Sequence, residues 1–141
     1  MTPLTEQKIR DSFARQSLMH TLGARISAIA AGCVEITADI RPGLLQQQGF
    51  AHAGLTFAIG DSAAGYSALS LLGLESEVLT TEMKINLLAP AQGTCLIARG
   101  RVVKPGRRLI VVEADVHARD DAARETHIAR LIGTMMPVAL S

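Results

Sequence analysis

Apolar and polar residues alternate along much of this chain, and the stretches where longer spacings replace the alternation mark its helices. From Cys33 to Ile40, Val34, Ile36, Ala38 and Ile40 fall on one face and Glu35, Thr37 and Asp39 on the other, the period of two that a half-buried strand requires. Arg25 to Ala30 reads as its partner strand across Ala31-Gly32, and Pro42-Gly43 closes the hairpin. Val78 to Leu88 sets Met83, Ile85 and Leu87 against Glu82, Lys84 and Asn86, until Pro90 and Gly93 break the run. Further strands are predicted over Thr94 to Val103, Leu109 to Ala118 and Thr126 to Val138, with turns at Lys104-Pro105-Gly106-Arg107 and Asp120-Asp121.

Two segments carry a helical spacing instead. Thr2-Pro3 fits an N-cap followed by proline at the first helical position, and Ile9, Phe13 and Gln16/Ser17 predict one short amphipathic helix to about His20, stopped by Gly23. A longer helix is expected after His52, with Gly73 as its C-terminal stop. One long helix between an early hairpin and a run of antiparallel strands implies an α+β protein with that helix packed on one face of the sheet.

The long segment, Ala53 to Leu74, has one charge, Asp61. A membrane span needs ~20 apolar residues, which this segment approaches, but Asp61 would lie near the bilayer centre and no basic cluster flanks it closely. Gly60, Ala63, Ala64, Gly65 and Ala68 instead suit a helix against which other backbone packs closely. An ionised carboxylate in such surroundings is costly unless it is paired or performs chemistry, so Asp61 is either a surface or hydrogen-bonded residue or a base. Just ahead of the helix runs Gln46-Gln47-Gln48-Gly49-Phe50-Ala51-His52-Ala53-Gly54. A loop that enters a helix in this way leaves first-turn N–H groups without intrahelical partners, and these can polarise a carbonyl or hold an anion.

Composition narrows the classes of function. The 141 residues form one domain of ordinary size, 1–141, and 48% hydrophobic content supplies a real core. With 14 Lys+Arg against 13 Asp+Glu there is no basic field to recruit nucleic acid, and 3% aromatic residues weaken any reading based on stacking bases. The N-terminal stretch is charged from Glu6 onward and has no apolar core of a secretion signal, so a cytoplasmic location is expected. Cys33 and Cys95 have no metal or redox spacing and read as reduced, core-facing thiols. His20, His52, His117 and His127 form no HxxxH or HExxH pair, so no metal site is expected.

At this point the chain resembles a known family. The element order is similar to the hotdog fold, an antiparallel sheet wrapped around one long central helix. The residues that sharpen the match are His52-Ala53-Gly54 with Asp61, Lys84-Ile85-Asn86-Leu87-Leu88-Ala89-Pro90-Ala91-Gln92-Gly93, and Gly106-Arg107-Arg108. The acyl-CoA thioesterase branch that includes phenylacetyl-CoA and hydroxybenzoyl-CoA thioesterases has a similar run, His-Gly-Gly with an acidic residue seven positions after the last glycine. Here the first of those glycines is Ala53, which keeps an N–H but would be strained at positive φ.

The resemblance implies that Asp61 is the catalytic carboxylate, that the Ala53 and Gly54 backbone polarises the carbonyl, that Gln46 lies near the thioester oxygen and that Thr80 lies near the attacking water. It implies no separate cofactor, coenzyme A being part of the substrate. This chemistry is sound physically, because thioester hydrolysis needs a base or nucleophile and preorganised N–H donors for the oxygen that gains charge. At ~1.5 Å rise per residue, however, the Gly54 and Asp61 backbones are on the order of 10 Å apart, too far to address one carbon. A site shared across a two-fold axis is therefore expected, in a homodimer that pairs further into a tetramer.

Other residues have a plain reading beside a chemical one. His52 is either a general acid or a helix cap. Lys104, Arg107 and Arg108 are either a solvated hairpin tip or contacts for the phosphates of coenzyme A. Phe50, Phe57, Tyr66 and the apolar sheet face are available to line an acyl pocket, for an aryl or a medium-chain group. A non-catalytic acyl-CoA-binding hotdog domain is the alternative function, although it would have no use for Asp61. A hotdog hydratase would pair an aspartate and a histidine in an asparagine-proline-containing arrangement that this sequence lacks.

Overall fold

The computed structural model describes residues 1–140. Two short helices, α1 (Pro3–Ala14) and α2 (Ser17–Leu22), lead into strands β1 (Arg25–Ala30) and β2 (Cys33–Asp39). Helix α3 (Ala53–Leu69) follows, and then β3 (Ser76–Leu87), β4 (Cys95–Pro105), β5 (Ile110–Arg119) and β6 (Glu125–Ala139). The six strands form one antiparallel sheet in the order β1-β2-β4-β5-β6-β3. The sheet wraps α3, the hotdog arrangement expected from the element order.

The pleat of β5 shows how alternation builds this core. Ile110, Val112, Ala114, Val116 and Ala118 are buried, while the intervening residues are half-buried. Toward the same interior α3 contributes Leu55, Ile59, Ala63, Ala64, Ala68 and Leu69. Every residue from Ala63 to Leu69 is buried, so the second half of α3 is enclosed around its whole circumference. Small residues make that enclosure possible. A Cβ on Gly100 of β4 would lie 2.4 Å from the backbone carbon and oxygen of Ala63, so sheet and helix touch backbone to backbone there.

Two serines then tie α3 to the β1–β2 hairpin. Ser67 Oγ accepts from the Val34 N–H at 2.9 Å and donates to the Ala63 carbonyl at 2.7 Å. Ser70 Oγ accepts from the Gly32 N–H at 2.7 Å and donates to the Ser67 carbonyl at 2.7 Å. These bonds satisfy buried backbone donors that would otherwise be costly. They also explain a departure from expectation: α3 ends at Leu69 with Ser70 as its cap, not at Gly73. With the Ser67 carbonyl taken by Ser70, the next amides turn to closer acceptors, Leu71 to Ala68 and Leu72 to Leu69.

The N-terminal helix also differs from its prediction. Thr2 caps it through a bond from the Thr5 N–H, but the helix breaks after Ala14. Gln16 is extended, with φ −78° and ψ 98°, and α2 begins beyond it and closes on Gly23 in the left-handed region. Cys33 is exposed rather than core-facing, because it opens β2 on the face opposite buried Val34; Cys95 is buried, and both are free thiols. The outward side of the sheet carries ion pairs, with Arg99 joined to Glu35 and Glu125, and Arg101 to Glu113 and Asp115.

The Gly100 contact yields a stability prediction. Gly100→Ala forces backbone apart where no side chain can give way, and should cost about 1–3 kcal/mol. Urea denaturation should show a lower midpoint at unchanged slope.

Candidate active site

Asp61 sits on α3 two turns beyond its start, half-buried and facing the N-terminal half of β3. Thr80 Oγ1 lies 2.8 Å from Asp61 Oδ1 and 3.3 Å from Met135 Sδ. Burial pushes the Asp61 carboxyl above its ordinary value of 3.8, and the Thr80 hydrogen bond opposes that rise. The hydroxyl therefore orients one carboxylate oxygen and leaves Oδ2 without a protein partner among the described residues. Thr80, placed by sequence only across a loop, proves to be the direct neighbour of Asp61.

The loop ahead of α3 builds the second group. Leu45 and Ala51 form an isolated bridge, and Gln46 Oε1 accepts from the backbone N–H groups of Gln48 and Phe50, so the glutamine side chain shapes the turn. His52 is extended at φ −64° and ψ 142° and caps α3: its Nδ1 accepts from the Gly54 N–H at 2.7 Å. This corrects one expectation. The Gly54 amide is already occupied by the cap, and the first-turn N–H left without an acceptor among the described residues is that of Ala53. Ala53 opens α3 without positive φ, so alanine in place of the family glycine introduces no backbone strain.

Within one chain the two groups do not share a cavity. Gln46, Phe50, His52 and Ala53 line one of about 530 Å³, together with Leu87, Leu88 and Pro90. Asp61 and Thr80 line another of about 270 Å³, bounded by α1, α3 and β3. The structure thus brings Asp61 to Thr80, and Gln46 to His52 and Ala53, but not the first set to the second.

Lys104, Arg107 and Arg108 are exposed on the β4–β5 turn with no acidic partner among the described residues. The sheet register runs Pro105, Ile110, Met135, Thr80 across four strands, which puts this turn at the Thr80 end of the sheet. Phe57, considered as a pocket residue, is 37% exposed. Sequence reasoning missed the polar residues that α1 and its break bring to the Asp61 cavity, Ser12 and Gln16. The signal available was Gln16 itself, a polar residue at a position where the helical spacing asks for an apolar one.

Among the described residues no helix is long and apolar enough to cross a membrane, and no group of three or more His, Cys, Asp or Glu side chains is placed to hold a metal ion.

Comparison with known proteins agrees with this architecture. A thioesterase family protein from Silicibacter pomeroyi is 47% identical, with a TM-score of 0.93 over 96% of this chain and 98% of its own. A thioesterase from Haemophilus influenzae superposes with a TM-score of 0.81 at 21% identity, covering 93% of this chain and 89% of its own. The PaaI protein from the phenylacetic acid degradation operon of E. coli does so with 0.83 at 17%, covering 98% and 97%. These last two likenesses establish the fold alone. The sequence model of the Thioesterase superfamily matches residues 48–124, more than half of the chain, from the loop ahead of α3 to the β5–β6 turn. With its fold and this match in agreement, the chain belongs to the thioesterase superfamily.

Proposed function

We propose that this protein, as one hotdog domain over residues 1–141, hydrolyses the thioester of an aryl- or medium-chain acyl-CoA to the free acid and coenzyme A. We place it in the phenylacetyl-CoA and hydroxybenzoyl-CoA thioesterase-like branch and in the cytoplasm. The observation that carries the reading is Asp61, the one charge in an enclosed helix, held by Thr80 on one oxygen and free on the other.

Asp61 Oδ2 takes a proton from a water molecule as that water attacks the thioester carbon. The Ala53 N–H stabilises the charge that develops on the carbonyl oxygen, with Gln46 beside it, while His52 fixes the helix start rather than transferring protons. The tetrahedral intermediate then expels the thiolate, which recovers the proton from Asp61. Lys104, Arg107 and Arg108 form a cationic tip suited to the phosphates of coenzyme A.

Two observations support a homodimer with shared sites, assembled further as a dimer of dimers. First, the carboxylate and the free amide lie in separate cavities of one chain. Second, β3 is a 12-residue strand at the edge of the sheet with Leu79 and Leu87 exposed, and Leu88 follows it, an edge that favours pairing with another copy. Antiparallel α3 helices across a two-fold axis would bring Asp61 of one chain to Ala53 of the other.

Asp61→Asn should lower acyl-CoA turnover by about 10²–10⁴-fold in a thiol-release assay while acyl-CoA binding persists. Near-normal turnover in the folded variant would overturn the mechanism.

A stability measurement checks the same residue independently of catalysis. Because the folded carboxyl titrates above its ordinary 3.8, the folded state favours the protonated form. Asp61 therefore costs stability as pH rises from the unfolded value through the raised folded one. Asp61→Asn should melt at an equal or higher temperature than the wild type at pH 7, with the difference vanishing at low pH. Turnover should fall on the acid side of a pKa above the usual aspartate range.

Ala53→Pro removes the free N–H at the first helical position, where proline fits, and the extended His52 already has the backbone that a residue before proline requires. The variant should fold and lose roughly 10²–10³-fold in turnover. Mixing it with Asp61→Asn should restore up to one active site per dimer, since one site of the heterodimer carries neither lesion. Subunit exchange without recovered activity would exclude the shared site.

A further inference from the structure

The cavity beside Asp61 has an unusual floor for a pocket that receives hydrocarbon. Tyr66, buried at 6% exposure, holds its hydroxyl 2.6 Å from Gln16 Nε2 and 3.1 Å from Ser12 Oγ. Ser62 Oγ lies 3.4 Å from Gln16 Oε1. All four side chains line the cavity, with Gly65, Leu69, Val78 and Met135 as its apolar wall. The break between α1 and α2 is what delivers Gln16: its extended backbone turns the amide toward Tyr66 instead of continuing the helix.

This network is not used up by its own bonds. A glutamine amide has two N–H donors, and a phenol has two lone pairs besides its proton. With one Gln16 proton on Tyr66, one remains; where Tyr66 donates to Ser12 it keeps a second acceptor position, and where Ser12 donates to Tyr66 the phenol proton is free instead. The free capacity is thus a Gln16 donor beside a phenol that either accepts or donates, which a neutral hydroxyl, itself both donor and acceptor, matches. An anionic tip would meet the carboxylates of Asp61 and Glu77, which line the same cavity, and no cation lines it.

Size and depth agree with that assignment. At about 270 Å³ the cavity is smaller than the usual range for whole ligands, so it suits an acyl tip rather than the coenzyme. Asp61 and Tyr66 both line the cavity, Tyr66 about 7.5 Å further along the α3 axis, so a short chain of about five or six heavy atoms is the appropriate probe.

The geometry points to Gln16 and Tyr66, supported by Ser12 and Ser62, as the acyl-specificity determinant, selecting an acyl group that ends in a neutral hydroxyl over a plain hydrocarbon or a carboxylate. This rests on the acyl-CoA reading above. An apolar tip in the cavity leaves the spare donor and acceptor unpaired, and a buried unpaired polar group is what gives such sites their discrimination.

The test uses S-alkyl-CoA thioethers, which lack the carbonyl and cannot be hydrolysed, with binding measured by calorimetry on the full chain. The wild type should bind 5-hydroxypentyl-CoA on the order of 10-fold tighter than hexyl-CoA, with 4-carboxybutyl-CoA the weakest. In Tyr66→Phe, which keeps the ring and its packing, and in Gln16→Leu, the hydroxyl preference should disappear or reverse. Ser12→Ala, at the edge of the network, should reduce it partially and guards against a folding defect in either of the other two. A wild type that prefers hexyl-CoA, or a hydroxyl preference that survives both Tyr66→Phe and Gln16→Leu, would overturn the inference. If the discrimination behaves as expected but no acyl-CoA releases thiol, the hydrolase reading fails while the acyl-tip assignment stands.

Discussion

A helix enclosed around most of its circumference has almost no room for charge, and the rest of this structure is arranged around that limit. Gly100 lets β4 meet the backbone of α3 at Ala63, and Ala64, Gly65 and Ala68 keep neighbouring strands close. Such contact removes water from the helix, so any ionised group left on it carries a desolvation cost. Asp61 bears that cost and is offset by one hydroxyl, which is why its carboxyl is displaced upward instead of downward. The same enclosure that makes the core raises the Asp61 carboxyl.

The N-terminus of α3 obeys the opposite rule. There the loop supplies polar partners, with Gln46 bracing the turn and His52 capping the helix, and the first-turn amide left over among the described residues is that of Ala53. Histidine as a cap has a consequence for the glycine that follows. A Cβ on Gly54 would come within 3.0 Å of His52 Nδ1, so a small residue there protects the cap. Alanine is tolerated one position earlier because the cap does not reach over it and the helix asks only for ordinary dihedrals.

Much of this was legible in the sequence, for reasons that differ by element. The period-two alternation of Val34, Ile36 and Ala38 placed β2 almost to the residue, and a single aspartate among small apolar residues made Asp61 the candidate carboxylate. What escaped were bonds made across large sequence distances. The break at Gln16 brings its amide to Tyr66, 50 positions away, and at the end of α3 Ser70 accepts from the Gly32 amide, 38 positions away. The occupation of the Gly54 N–H is local, yet it turns on the rotamer of His52, which residue type alone leaves open between cap and acid.

The two serine ties also mean that the two ends of α3 are held by different parts of the chain. Its C-terminal half is pinned by Ser67 and Ser70 to the first hairpin and by Gly100 to β4, whereas its first turn hangs from a loop braced mainly by Gln46 and His52. The carboxylate lies nearer the half tied to the sheet and the free amide at the end set by the loop. If each catalytic centre draws one group from each end, the amide is positioned by the loop of one subunit and the carboxylate by the sheet-tied helix of the other. The placement of the acyl carbonyl and the placement of the water would then be properties of different protomers.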